Sequence, residues 1–108
     1  MSDTVLLLHH PTTTQNSIGE WIQDVERVQV FAKVQEVSSS EFFNASQIGL
    51  AAEKRFLVFS GDYHGEEVLE HEGNNYSVYR TYHNGDFVEL YCQREAGTAA
   101  VTPYENQS

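Results

Sequence analysis

The pattern that most limits what this chain can become is a succession of short runs of alternating polarity, each closed by a turn signal. Arg27–Val37 is the clearest run: Val28, Val30, Ala32 and Val34 share one phase, and Gln29, Lys33 and Gln35 the other. Successive side chains of a strand point to opposite faces, so this reads as a sheet strand with one wet face. Phe31 falls in the polar phase and offers an apolar ring outward. Thr4–Leu8 reads as a first strand, ended by Pro11, and Ile18–Asp24, around Trp21, as a second, with polar turn material over Thr12–Ser17. Further on, Arg55–Phe59 is apolar in both phases, as in a strand covered on both sides. Val68–Glu70 is a short strand between the turns Gly61–Gly65 and Glu72–Asn75. Tyr76–Tyr82 and Phe87–Arg94 are joined through His83-Asn84-Gly85-Asp86. Asn-Gly predicts a hairpin with a type I′ turn, because both residues tolerate positive φ. Short strands at regular intervals predict a mainly β fold, a small antiparallel barrel or sandwich. It is expected to occupy residues 1–96 as a single domain, with 97–108 as a flexible tail that lacks a core face.

One stretch breaks the period of two. Ser38–Leu50, SSSEFFNASQIGL, begins with Ser38-x-x-Glu41, the spacing of a capping box, and ends near Gly49, which suits a helix stop. It is therefore expected to be a helix or loop inserted between two strands. At about 100° per residue its apolar residues spread over roughly 220°, wider than the ~100° stripe needed to cover one core. Two readings stay open. Either the helix closes the end of the barrel and buries one Phe, or its remaining apolar residues wait for a partner.

Charge excludes some functions. Sixteen acidic residues against six basic ones leave a formal net charge of −10. Such a surface has no basic patch to drive sequence-specific nucleic-acid binding by counterion release. It suits a chain that stays soluble until it meets its partner, or one lining a passage to which nucleic acid must not stick. Hydrophobic content of 40% places it among globular chains. Cys92 is the lone cysteine, so an internal disulfide is impossible, and its alternation with Val88 and Leu90 predicts a buried thiol. The apolar run Val5–Leu8 is too short for a signal segment or a membrane span, so no membrane association is expected.

No catalytic arrangement stands out. His64, Glu66, Glu67 and His71 are the densest set of candidate metal ligands. His64 lies in a predicted turn and His71 along a strand, and the spacing is not that of a helical zinc motif, so no metal or cofactor is expected. No glycine-rich loop or elbow frames a serine, and an enzyme is not expected. Arg80 alternates in phase with Tyr76, Val78 and Tyr82. It either points inward against Glu89 of the facing strand, or sits at the barrel mouth with its head wet.

The order SSSEFF…G, then RFxVFSGDYHGEE, then YSVYRTYxxxDxVELYCQRE, from about Val28 to Glu95, resembles the head-closure (head–tail joining, head-completion) proteins of tailed bacteriophages. Where such proteins often have a proline after the helix, this chain has Ala52 ahead of Glu53. The resemblance implies a small β-barrel with an insertion, and a structural role in the virion after synthesis in the bacterial cytoplasm. Copies would form rings of roughly twelve-fold symmetry between portal–adaptor proteins and tail proteins. The isolated chain is expected to be monomeric or weakly associated, since copies of charge −10 repel. DNA would be cargo passing the channel, which the protein helps to keep inside. By position, the insertion contacts would be Glu41, Phe42, Phe43, Asn44 and Gln47, and tail docking would fall to Thr98, Val101 and Tyr104. A reading of another class is an acidic protein-binding module or DNA mimic, for which Glu66, Glu70 and Glu72 would supply a row of carboxylates.

Overall fold

The computed structural model describes residues 2–95. Its strands are β1 (Ser2–Gln15), β2 (Trp21–Gln35), β3 (Lys54–Phe59), β4 (Val68–His71), β5 (Asn74–Asn84) and β6 (Phe87–Arg94), with helix α1 (Ser39–Gln47) between β2 and β3. All neighbouring pairs are antiparallel, and the order β1-β2-β3-β6-β5-β4 closes into a barrel. The closing seam is narrow: β1 meets β4 only at Leu7↔Glu70 and Leu8↔Leu69. The tail residues Thr98, Val101 and Tyr104 lie outside the described residues.

The alternation sends one phase of every strand inward. Leu6 and Leu8 of β1, Val30 and Ala32 of β2, Phe56 and Val58 of β3, Leu69 of β4, Tyr76 of β5, and Val88, Leu90 and Cys92 of β6 form one buried cluster. Facing residues pack across the strands, as in Leu6↔Val30, Phe56↔Leu90 and Leu69↔Tyr76. The barrel interior is thus filled by side chains, as expected for so few strands. Burial pushes the Cys92 thiol up to about 12, so it packs as a small hydrophobe.

Three sequence expectations need correction. The first is the strand count. Residues 21–35 make one strand, not two, and β1 runs through Pro11 to Gln15. Beyond Leu8 the hairpin leaves the barrel as a two-stranded ribbon, where β1 has a neighbour on one side only and a missing N–H donor is tolerated. This arm explains the elongated shape: the Cα radius of gyration is 15.8 Å, with extents of 52 × 41 × 24 Å, against about 13 Å for a compact chain of 100 residues.

The second concerns the β5–β6 turn. Asn84 stays in the strand opposite Phe87, so Gly85 and Asp86 are the central residues. Only Gly85 has positive φ (65°), the pattern of a type II′ turn with glycine first. A turn with both central residues at positive φ does occur, at Glu72 (51°) and Gly73 (83°) between β4 and β5.

The third is Arg80. A β-bulge between Val78 and Arg80 leaves Tyr79 unpaired, so the inward phase is lost and Arg80 turns outward. Its partner is Glu41 of α1, while Glu89 lies 3.7 Å from Arg55 and accepts from the Tyr91 hydroxyl at 2.8 Å.

Candidate functional site: a tethered helix and a projecting arm

Helix α1 forms for reasons visible in its ends. The Ser38 hydroxyl accepts from the Glu41 N–H at 3.1 Å, the N-cap half of the capping box. The reciprocal half is missing because the Glu41 carboxylate is engaged elsewhere. At the other end the Leu50 N–H donates to the Ala45 carbonyl and the Gly49 N–H to Ser46, with Gly49 at φ 83°. That pair of bonds is a Schellman stop, which requires the left-handed conformation glycine adopts freely.

The helix touches the barrel through little. Ala45 is its one buried residue. Glu41 provides the tether: one carboxylate oxygen accepts from Arg80 at 2.5 Å and the other from the Tyr79 hydroxyl at 2.7 Å. The Arg80 guanidinium in turn lies over the Tyr91 ring, 4.0 Å from its centroid. Burial and the adjacent Glu41 carboxylate raise the Tyr79 phenol above its ordinary value, so it remains a donor. The bulge makes this possible, since it puts Tyr79 and Arg80 on the outer side together. Glu41 therefore serves an internal bond, whereas Phe42, Phe43, Asn44 and Gln47 stand exposed. Phe43 remains 61% accessible and Ile48 75%. Neither phenylalanine closes the barrel, so the reading in which one is buried there is overturned. An alanine suffices because the barrel is already filled by its own strands.

The arm was the feature sequence reasoning missed. Its tip is ordered by Asn16, whose side-chain oxygen accepts from the N–H groups of Ile18 and Glu20, while its own N–H donates to the Glu20 carbonyl. Ile18, Trp21, Ile22 and Val25 are exposed along it. The available signal was the turn chemistry of Asn16–Glu20, whose Asn and Gly suit a tight connection between two strands. At the base of the arm, Glu70 accepts from Arg27 and bonds His9, both at 2.5 Å. These bonds hold its carboxyl below its ordinary value. Beside it the buried Glu66 bonds His10 at 3.0 Å and accepts the His64 N–H at 2.8 Å. Burial pushes the Glu66 carboxyl up, but these hydrogen bonds outweigh it and leave it below its ordinary value.

The suspected ligand set does not converge. His71 is buried against Phe56, bonded to the Thr4 hydroxyl at 3.0 Å, while His64 faces His10 and Glu66. Among the described residues no three His, Cys, Asp or Glu side chains are grouped to hold a metal ion. Glu66 and Glu70 are consumed by their partners, so with Glu72 they present no row of free carboxylates. Among the described residues no helix is long and apolar enough to cross a membrane.

A third exposed feature lies on the barrel wall. Phe31 of β2, Phe59 of β3 and Phe87 of β6 line an open groove of about 490 Å³, together with Thr4, Leu57, Lys33, Asp3 and Asp62. Phe59 and Phe87 pack edge to face at 6.2 Å. No protein-family model matches the chain, and no curated protein does either.

Proposed function

We propose that the chain is a structural subunit of a phage virion: a head–tail connector that forms a ring on the portal–adaptor assembly, joins head to tail and helps to retain packaged DNA. The observation that carries this reading is the helix. It is fixed to the barrel through Ala45 and Glu41, yet leaves Phe42, Phe43 and Ile48 in water. A side chain held in place but left uncovered is the usual state of an interface anchor before its partner arrives. The filled barrel suits a spacer, and the net charge of −10 suits a wall past which DNA slides. The same charge opposes spontaneous assembly, so the ring forms on a template and the isolated chain remains monomeric or weakly associated.

The test is the double variant Phe42→Ser with Phe43→Ser. Because both rings are exposed, the barrel is expected to melt within a few degrees of the native chain, while complementation of a phage lacking the gene fails at head–tail joining. Normal joining by the folded double variant would sink the reading of the helix. A pull-down that returns a nuclease or repressor and no virion component would favour the acidic binding module instead.

A further inference from the structure

We infer that the β1–β2 arm of one copy seats Trp21 and Val25 in the Phe31–Phe59–Phe87 groove of the next copy, so that copies join head to tail. This names a subunit contact for the assembly proposed above and rests on that reading.

The arm has two chemically different faces. Directly paired residues share a face, and Gln15↔Trp21, Thr13↔Gln23 and Pro11↔Val25 make one of them. That face carries Trp21, Val25 and Pro11 and no charge. The other carries Ile22 with Asp24 and Glu26, opposite Thr14, Thr12 and His10. A two-stranded ribbon with no third strand is marginal in water, so an arm with an ordered tip and a 69% exposed tryptophan lacks a surface to lie on.

The groove is the matching surface: three aromatic rings on the outer barrel wall, Phe31 itself 76% exposed. The arm cannot reach it in its own copy. Trp21 and Phe31 belong to the same continuous strand, ten residues apart, which at ~3.3 Å per residue is about 33 Å. An occupant from this arm must come from another chain. Two arms side by side would bring together Glu20 and Asp24 of each with no Lys or Arg between them, which is less favourable than a groove whose acidic Asp3 and Asp62 are offset by Lys33, ion-paired to Asp3 at 3.0 Å.

Size explains why such a contact is weak alone. With aromatic side chains worth ~150–250 Å² each and already partly covered, this contact buries on the order of 700 Å², below the ~1,200–2,000 Å² of a stable pair. Donor and acceptor surfaces are different patches, so the contact is heterologous and propagates, closing into a ring when the rotation allows. Each copy in a closed ring then makes two such contacts.

The experiment is crosslinking with a short bis-maleimide. Copies carrying Gln23→Cys are mixed with copies carrying Asp62→Cys; Cys92 is buried and does not compete. The expected result is a crosslinked mixed dimer, little product from either variant alone, and a ladder of multimers from the chain carrying both changes. Adding Trp21→Ser to the first variant, or Phe31→Ser to the second, is expected to cut the product at least about tenfold. Both are exposed positions, and unchanged circular dichroism confirms that the chains remain folded. Self-crosslinking of the Gln23→Cys chain, product insensitive to Trp21→Ser and Phe31→Ser, or no product at all would each overturn the inference. Product that appears only in chains ending at Glu95 would assign the groove to residues 96–108 and overturn it equally. Mixed dimers alongside normal head–tail joining by Trp21→Ser phage would remove the contact from virion assembly while leaving it real. Failed joining by the Phe42/Phe43 variant without crosslinks would do the reverse.

Discussion

The two halves of the β1–β2 hairpin are built from the same strands in one unbroken register, from Ser2↔Val34 to Gln15↔Trp21, yet they live in different environments. In the lower half, β3 and β4 flank the pair, and Leu6, Leu8, Val30 and Ala32 are fully or almost fully buried. In the upper half no strand flanks it, and Trp21, Ile22 and Val25 face water. Backbone pairing, with side-chain bonds at its tip and base, holds the ribbon together; burial depends on which strands happen to lie alongside. A strand pattern in a sequence therefore states that a strand forms, and says little about what covers it.

The sharpest test of that contrast is a pair of substitutions. Phe56→Ala, in the filled interior, is expected to cost about 3–5 kcal/mol, enough to unfold much of the population. Trp21→Ala removes a larger side chain but one in water, and is expected to change stability by less than about 0.5 kcal/mol. Urea titrations followed by circular dichroism measure both. A loss above about 2 kcal/mol for Trp21→Ala would mean that the arm packs against the body, and the two halves would not differ as described.

The helix stands between these extremes, covered by one alanine and tied by one carboxylate. Glu41→Ala removes the acceptor shared by Tyr79 and Arg80 and is expected to cost about 1–2 kcal/mol, discounted because Arg80 is half exposed. Ser38→Ala deletes the N-cap alone, at about 1 kcal/mol. Hydrogen exchange should show where the loss falls: faster exchange over residues 39–47, with strand amides unchanged. Equal acceleration throughout the barrel would make the helix part of the cooperative core instead.

The mainly β class, the helix and both of its ends were legible in the sequence because each rests on a local rule, whereas the choice of barrel over sandwich rests on the distant β1–β4 seam. Alternation gave Val28–Val34 and Val88–Cys92 their faces, and Ser38 and Gly49 bound the helix. Three other things were not local. Pro11 reads as a strand end unless it is known that β1 has a free edge there. The bulge at Tyr79 is a mismatch between two strands, invisible in either alone, and it moved Arg80 from Glu89 to Glu41. The groove of Phe31, Phe59 and Phe87 is assembled from three strands, so the alternation shows Phe31 and Phe87 outward without showing that they meet, or that Phe59 joins them.

The smallest expected effect separates body from arm by pH. His71 lies inside the barrel, where burial holds it below its ordinary 6.5. An unfolded chain takes up that proton first, so stability falls as pH drops below 6.5. Glu66 and Glu70 sit at the arm base with carboxyls held below their ordinary 4.5. Their contribution is present above 4.5 and is lost only as pH falls below it toward the folded values. Melting temperature should thus decline in two stages, a shallow one from the barrel and a later one from the arm base. His71→Gln is expected to flatten the first stage and leave the second. The single tryptophan makes the second stage separately visible, since Trp21 lies on the arm while circular dichroism follows the barrel. Below pH 4.5 its fluorescence anisotropy should fall before the barrel signal is lost, as the clamp of Glu70 on Arg27 and His9 lets go. If both signals are lost together at every pH, arm and barrel melt as one unit. The contrast between the two halves of the hairpin would then be one of exposure alone, with no difference in stability behind it.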